Sequence, residues 1–353
     1  MARIALRATA AARARILPVT RAAFRPTAPP RSPAPAQAFE RNLILVRQRG
    51  WQSPEDWQAI DALVRELDPR IEPFVVDSGL PNSYTRRAAA ARPTFVFSPG
   101  ILGYFRPRRG KVYHGRPIAK MEQLRLLAAH GVPVPRSILL QPGARLDPAE
   151  WGPFVILKPS DIWSSSFGKG IQLMRTERVR YIAPAAYPEG HPGRRGPMIV
   201  QEFVDSGDRI SLYRVLTLFG APLYCQQNFS EAPRVDLSAP DAEIESAVVA
   251  TQAVAKEKHF VRDADVLAVA RAAHAAMPGI PLKGCDVIRD RHTGKLFVLE
   301  VNPGGNTWHF SSTYLAEARR QNGPEFEAER RSQFDALRTA ARILVERTNA
   351  EAS

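Results

Sequence analysis

The sequence predicts an α+β fold, in which a small α/β unit precedes longer segments of antiparallel strands and helices around shared cores. Apolar runs of strand length at residues 43–46, 71–76 and 94–97, with a helix-length segment at 54–66 after the first, predict an α/β unit over 42–115. Further on, runs at 213–219 and 223–226 turn at Gly220. Runs at 285–288 and 296–301 flank a polar turn containing Gly294. Both pairs read as antiparallel hairpins. At 353 residues the chain is long enough for two or three domains, and its 44% hydrophobic and 24% charged content is that of a globular protein.

Taken in order, the helix at 54–66 opens at Ser53, expected to cap it with Asp56 three positions on. A second helix follows in IAKMEQLRLLAAHGVPVP, where Met121, Leu124, Leu127 and Ala128 share one face, and Gly131 and Pro133 stop it. Strands are expected at 154–157, ending on Lys158 and Pro159, at 171–174, and at 198–200 running into QEFV. The Gly/Pro/Arg-rich stretch 178–197 between them reads as a surface loop. Helices are expected at 242–254 and 264–276. A single amphipathic helix is expected over 325–347, with Phe334, Leu337, Ala341, Leu344 and Val345 as its buried stripe.

The net charge of +14 invites a nucleic-acid reading, but half of it sits in one place. Residues 1–39 hold seven arginines and no acid, in an Ala/Pro-rich leader that reads as disordered from about residue 26. Its first part has the composition of an amphipathic transit peptide or of a dispensable extension, without the apolar core of a secretory signal. The remaining positive excess suits anionic ligands in general. No apolar run approaches the roughly 20 residues needed to cross a bilayer. Cys225 and Cys285 form neither a zinc framework nor a disulfide scaffold. The expected setting is cytoplasmic, with an organelle address left open by the leader.

Chemistry concentrates in KGCDVIRDRHTGKLFVLEVNPGGN, residues 283–306. Glu300 and Asn302 share a strand face, and pairing Arg289 with Lys295 puts Asp286 opposite Val298 and diagonal to Glu300 on that same face. A one-residue slip would break the set. Lys158 at the end of an apolar strand offers a point charge to phosphate. The segment DIWSSSFGKG supplies Ser164, Ser165, Ser166, Gly168, Lys169 and Gly170, whose backbone N–H groups and hydroxyls suit phosphate oxygens, although the order is not that of a P-loop. Gln201, Glu202, Phe203 and Val204 form a turn able to present carboxylate, backbone and apolar groups to a nucleoside, with Asp208 in reach of a ribose. Arg214, inside an apolar strand, needs an anionic partner. Together these are the parts of one metal–nucleoside triphosphate site, since magnesium bridges carboxylates to phosphates and cations offset the charge of phosphoryl transfer.

The order of AKMEQLRLLAAHGVPVP, FVILKPSD, SSSFGKG, IVQEFV, YRV, CDVIRD and VLEVNPGGN resembles the ATP-grasp superfamily over residues 42–315, most strongly over 119–306, and in particular its glutathione synthase and ribosomal-tail glutamate ligase types. The resemblance implies two α+β subdomains gripping ATP behind a small pre-grasp α/β domain. Residues 1–40 would be leader, 41–118 pre-grasp domain, 119–200 and 201–320 the two subdomains, and 321–353 a helical extension. It implies Lys120 and Lys158 on ATP phosphates, the 164–170 loop over them, residues 201–204 on adenine and Asp208 near the ribose. Asp286, Glu300 and Asn302 would hold magnesium, with manganese able to substitute, and Arg214 would stabilise the anionic intermediate. The implied reaction activates a carboxylate as an acylphosphate for attack by an amine, with small-molecule or peptide substrates and neither membrane nor nucleic acid as partner.

The chain departs from that pattern in two places. Trp163 is bulky beside the serine-rich loop. Where such ligases often carry a second arginine, this chain has Gln226, Gln227 and Asn228, so that neutral amides, Lys283 or Arg234 must serve, or the acceptor chemistry differs. Trp308-His309-Phe310 is expected to wall the acceptor, with His309 also readable as a structural surface residue. An ATP-dependent phosphotransferase and a non-catalytic ATP-binding scaffold remain the alternatives to a ligase.

Overall fold

The computed structural model describes residues 38–79, 83–102, 110–160, 170–249, 256–304, 307–313 and 316–353. Residues 38–353 form one compact unit. The expected α+β architecture is observed as three sheets with helices against them, consistent with a two-subdomain ATP-grasp arrangement.

The first sheet is parallel, in the order β2-β1-β3-β4: β1 Arg41–Arg47, β2 Ile71–Asp77, β3 Thr94–Ile101 and β4 Lys111–Gly115. Parallel neighbours need crossovers, supplied by α1 (Pro54–Leu67) and α2 (Ser83–Ala91). Ser53 occupies the cap position of α1, but its hydroxyl bonds Glu55 and not the helix backbone. Asp56 is withdrawn from capping because it is buried, accepting from Trp308 Nε1 at 2.9 Å and pairing with Arg331 at 3.0 Å. The expected Ser53–Asp56 cap is therefore replaced by a tertiary clamp on the C-terminal part of the chain.

Next, α3 (Lys120–Ala129) ends at Gly131, whose φ of 71° only glycine adopts without strain, and it buries Leu124 and Leu127 together with Gln123. The second sheet has the order β5-β8-β6-β7, with β5 Ser137–Leu139, β6 Phe154–Pro159, β7 Gln172–Arg175 and β8 Met198–Glu202. A short helix, α4 (Pro148–Trp151), leads into β6. The stretch 178–197 contains two 3-10 turns, at Pro184–Ala186 and Pro192–Arg194.

The third sheet is antiparallel, in the order β11-β10-β9-β12-β13. β9 (Arg209–Leu218) and β10 (Ala221–Pro233) turn through Phe219 and Gly220, both at positive φ, the two-residue geometry that matches strand twist. The helix expected over 242–254 is only α5 (Asp241–Ser246): Ala247 turns extended and Val249 packs against Phe154 and Leu173, so tertiary burial ends it; residues 250–254 lie outside the described residues. β11 (Lys256–Phe260) was not expected. α6 (Ala264–Ala275) is capped by Asp263, which accepts from Asp265 and Val266 N–H, and leads into β12 (Leu282–Arg289) and β13 (Leu296–Asn302). The single helix expected over 325–347 is two: α7 (Ala316–Ser332), kinked at Gly323-Pro324, and α8 (Ala336–Glu351). They part at Asp335, in left-handed geometry, where the Gln333 side chain is spent on the Cys225 backbone of β10.

The faces of the third sheet divide the molecule's labour. One face, with Tyr213, Val215, Cys225, Cys285, Val287, Val298 and Val301, is buried with α6 and Leu127 of α3. Of the other face, Leu216, Leu218, Tyr224 and Leu282 share a core with the parallel sheet, α1 and α8, while its far end is polar. That polar end is the functional candidate.

Candidate functional site

Four strands bring one row of side chains together. Gln226 of β10 stands opposite Arg214 of β9, Arg214 opposite Asp286 of β12, and Asp286 opposite Glu300 of β13. Asn302, two residues beyond Glu300, donates its amide toward Asp286 Oδ2 at 3.3 Å and Glu300 Oε1 at 3.5 Å. Asp286, Glu300 and Asn302 thus converge as expected, but by a different register. Arg289 pairs with Leu296, not Lys295, and Val287 pairs with Val298. Continued unbroken, that ladder would put Asp286 opposite Leu299 and turn Glu300 to the other face. A β-bulge at Leu299 inserts the extra residue that sets Glu300 against Asp286. The same bulge explains why Val298 and Val301, three apart, share the helix-covered face.

The bulge also frees backbone groups of an edge strand, and the first half of the chain takes them. Leu299 O accepts from Lys158 Nζ at 3.3 Å, Val301 N–H donates to Gln123 Oε1 at 3.0 Å, and Val298 N–H to Pro133 O at 2.9 Å. Lys158 is held from its own sheet by Gln201 Oε1 at 2.9 Å. Lys120, at the start of α3, reaches Glu300 Oε2 at 3.6 Å. Two lysines from the second sheet and its helix therefore meet the carboxylates of the third.

The charges are not fully balanced. Arg214 grips Asp286 with two nitrogens, Nη2 to Oδ2 at 2.9 Å and Nε against Oδ1. Even so, burial pushes the Asp286 carboxyl up, with the facing Glu300 adding to the effect against the pull of Arg214. Glu300 is also penalised by burial, but Lys120, Lys158 and Arg214 together carry it below the ordinary range. Burial lowers Lys158 to about 8, with Glu300 opposing. Asp286 Oδ1 is buried, with Arg214 Nε against it. Two facing carboxylates and an adjacent amide fit a hard divalent cation, which takes oxygen ligands. Among the described residues no group of three or more His, Cys, Asp or Glu side chains is placed to hold a metal ion, so the candidate set here is two carboxylates and an amide.

The other expected residues fall in distinct places. Ser164, Ser165, Ser166, Gly168 and Lys169 lie outside the described residues; Gly170, with φ 72°, packs on Pro159 and Pro192. Glu202 is exposed and bonds the Arg136 backbone, Phe203 packs on Phe154, and Val204 is buried. Asp208 has its side chain 86% exposed and paired with Arg291 of the β12–β13 turn. That turn is further tied to the segment after β8 by Arg291 N–H to Asp205 O at 2.7 Å and His292 Nε2 to Asp205 Oδ2 at 3.2 Å.

Neither substitute for the second arginine reaches the row. Lys283 lies on the opposite face of β12, buried against α6, where it donates to His274 O and Ile280 O. Arg234 is committed to Gly207 O and Asp205. Gln226 instead bonds Asn228. Trp308 and Phe310 do not wall an acceptor: both are core, Trp308 stacked on Trp57 at 4.9 Å, because the segment after Asn302 dives beneath the parallel sheet. His309 is half-buried and bonds Tyr224 Oη at 2.7 Å. A separate cavity of about 350 Å³ lies by the 178–197 stretch, lined by Tyr181, Tyr187, Arg194 and Met198 among others, and includes no residue of the carboxylate row.

No protein-family model and no curated protein matches this chain. Among solved structures it is similar to the D-cycloserine synthetase DcsG, at 19% identity over 87% of this chain and 99% of that one, TM-score 0.48. It is similar to the ATP-grasp ligase PsnB complexed with minimal precursor, Mg and ADP, at 17% identity over 87% and 97%, TM-score 0.47. The D-alanine–D-alanine ligase from Bacillus anthracis matches at 12% identity over 88% and 97%, TM-score 0.44.

Proposed function

We propose that this chain is a magnesium- and ATP-dependent carboxylate–amine ligase acting on a small-molecule or peptide acid. The observation that carries the reading is the convergence of Lys120, Lys158, Arg214, Asp286, Glu300 and Asn302 from five separate elements. Such a set of cations and oxygen donors matches a metal triphosphate, and the motif order of the sequence supports it. In this reading residues 41–118 are the pre-grasp domain, 119–200 and 201–320 the gripping subdomains, and 321–353 an extension.

Asp286, Glu300 and Asn302 would hold the metal, Asn302 by turning its amide oxygen inward. A bound magnesium supplies neutralisation of phosphate charge. Lys120 and Lys158 position the triphosphate, and the 164–170 loop and residues 201–204, with Asp208, complete the nucleotide's surroundings. A carboxylate oxygen of the acid attacks the γ-phosphorus, ADP leaves, and the resulting acylphosphate carries a good leaving group. The amine nitrogen then attacks the acyl carbon, loses a proton, and expels phosphate. Arg214, on the same face as the two carboxylates, would compensate the oxyanion of the acyl intermediate.

The test is an ADP-release screen of carboxylic acids with and without amines, with products identified by mass spectrometry. An amide supports the ligase. A stable phosphorylated product transfers the site to phosphotransfer, and ATP binding without turnover to a scaffold.

A further inference from the structure

The cavity beside the 178–197 stretch lies on the back of the second sheet. Val155 and Leu157 of β6 share one core with Leu140, Met198 and Val200. Phe154 and Ile156 face the other way, and Lys158 continues their alternation toward β13. The cavity is lined by Leu140 and Met198, from the first of these faces. The sheet therefore stands between it and the lysine and carboxylate cluster.

Its lining is graded from apolar to cationic. Leu140 and Met198 at the floor are 2% and 4% exposed, whereas Ile182, Arg194 and Arg195 at the rim are open to solvent. Tyr187 forms one wall, its ring stacked on His191 at 4.5 Å and 3°. The bare face of Gly193 makes room for that ring, since a Cβ there would lie 2.7 Å from it. Gly193 N–H is tied in turn to His191 Nδ1 at 3.0 Å, so the wall is fixed before a ligand arrives.

The polar groups around this floor are of one electrical sense. Among the described residues that line the cavity are two guanidiniums and two phenols, and no carboxylate. Arg194 spends Nη1 on Tyr187 O at 2.9 Å, one bond from a fork of several N–H donors. Burial, with Tyr181 adding to it, pushes the Tyr187 hydroxyl up, so it stays a donor at neutral pH. An apolar floor beneath a cationic rim suits a molecule with a hydrophobic body and an anionic head. The volume of about 350 Å³ is at the small end of ligand sites, enough for one ring or one branched chain. An arginine fork matches a carboxylate head with two parallel N–H bonds.

We propose that this cavity is a second ligand site, for a small organic carboxylate with an aromatic or branched aliphatic body. It is independent of the ligase reading, because it shares no residue with the row of Arg214, Asp286 and Glu300.

The test uses the full-length protein without nucleotide. Phenylacetate, benzoate and isocaproate are titrated by saturation-transfer NMR and calorimetry, beside acetate, methyl phenylacetate and phenethylamine. At least one of the first three is expected to bind. Acetate lacks the body, and the ester and amine lack the anionic head, so these three are expected not to. Arg194→Gln, at an exposed position, and Gly193→Ala, which displaces the Tyr187 ring, are expected to weaken binding roughly tenfold. Mg-ATP binding in both variants should match the parent's. Circular dichroism checks that they fold; should Gly193→Ala not fold, Arg194→Gln decides. Failure of all three carboxylates to bind, equal binding of the ester, or unchanged affinity in folded Arg194→Gln would overturn the site. Displacement of the bound carboxylate by Mg-ATP would also overturn it, by moving the anion to the other face of the sheet.

Discussion

Replacing Lys283 with Met probes the strand that carries Asp286 from its hidden side. Lys283 is 1% exposed, and its ammonium ends on His274 O at 3.1 Å and Ile280 O at 2.7 Å, past the end of α6. Burial lowers its pKa from 10.5 to about 7. Between those values the unfolded chain holds a proton that the folded chain gives up, so stability from this group rises with pH and is lost as pH falls. At about 1.4 kcal/mol per unit, the penalty is about 4 kcal/mol at pH 7 and about 2.7 kcal/mol at pH 8.5. Methionine abolishes it, at a pH-independent cost of about 1–3 kcal/mol for the two carbonyls left without their donor. Whatever that offset, the stability difference between variant and parent should shrink by about 1.5 kcal/mol from pH 7 to pH 8.5. Urea titrations followed by circular dichroism at both pH values read it directly. Tyr224 and Cys225, both pushed up to about 12 by burial, contribute with the opposite sign as their unfolded counterparts ionise, but they are common to both proteins and cancel in the difference. Lys158 titrates alike in both proteins and cancels. Parallel profiles would refute the reasoning, and loss of Mg-ATP binding in the folded variant would refute the assignment of Lys283 to the α6 face alone.

The remaining expectations concern the site and its supports. Glu300→Gln should cut magnesium-dependent turnover by at least about a hundredfold with the melting temperature near the parent's, as steady-state ADP release and calorimetry would show. Because burial holds Lys158 near 8, the dissociation constant for Mg-ATP should rise as pH climbs through that value, and Lys158→Met should flatten the profile. Gly115→Ala would set a Cβ 2.8 Å from Pro303 O and 3.1 Å from Gly100 C, so the loop after Asn302 must shift; a stability loss of about 1–3 kcal/mol is expected in urea, with slower turnover. Asp56→Ala leaves Trp308 Nε1 unsatisfied in the core and frees Arg331, for an expected loss of about 2–4 kcal/mol by the same measurement.

Much of the fold was legible because periodicity and turn chemistry are local. The hairpin at Phe219-Gly220, the Gly131 stop and the parallel-strand run each follow from a few adjacent residues. Where the reading failed, a distant partner had taken over a local signal. Asp56 looked like a helix cap and is a ligand of Trp308; Gln333 looked like part of a helical face and is spent on Cys225. The ion pair of Arg330 and Glu327 in α7 went unnoticed because an acid and an arginine three apart on a helix ordinarily mean a solvated pair. Their burial comes from Tyr224 and Phe260, about a hundred and about seventy positions earlier in the chain, pieces the alternation pattern cannot join.

The carboxylate row shows the limit most sharply. The structure brings together the residues that chemistry had grouped, yet the pairing assumed for them was off by one at the turn, and with a regular ladder that error would have separated them. What rescues it is the unpaired Leu299, a residue with no chemical signature whose apolar side chain fits either a regular or a bulged strand. The rescue has a physical price in two freed backbone groups near an edge strand, and these are met by Lys158 and Gln123. The bulge that aligns Glu300 with Asp286 therefore also fastens the lysine-bearing half of the chain to the carboxylates. A substitution that regularised β13 would be expected to separate the two together, so alignment of the acids and docking of Lys158 should fail as one event and not in sequence.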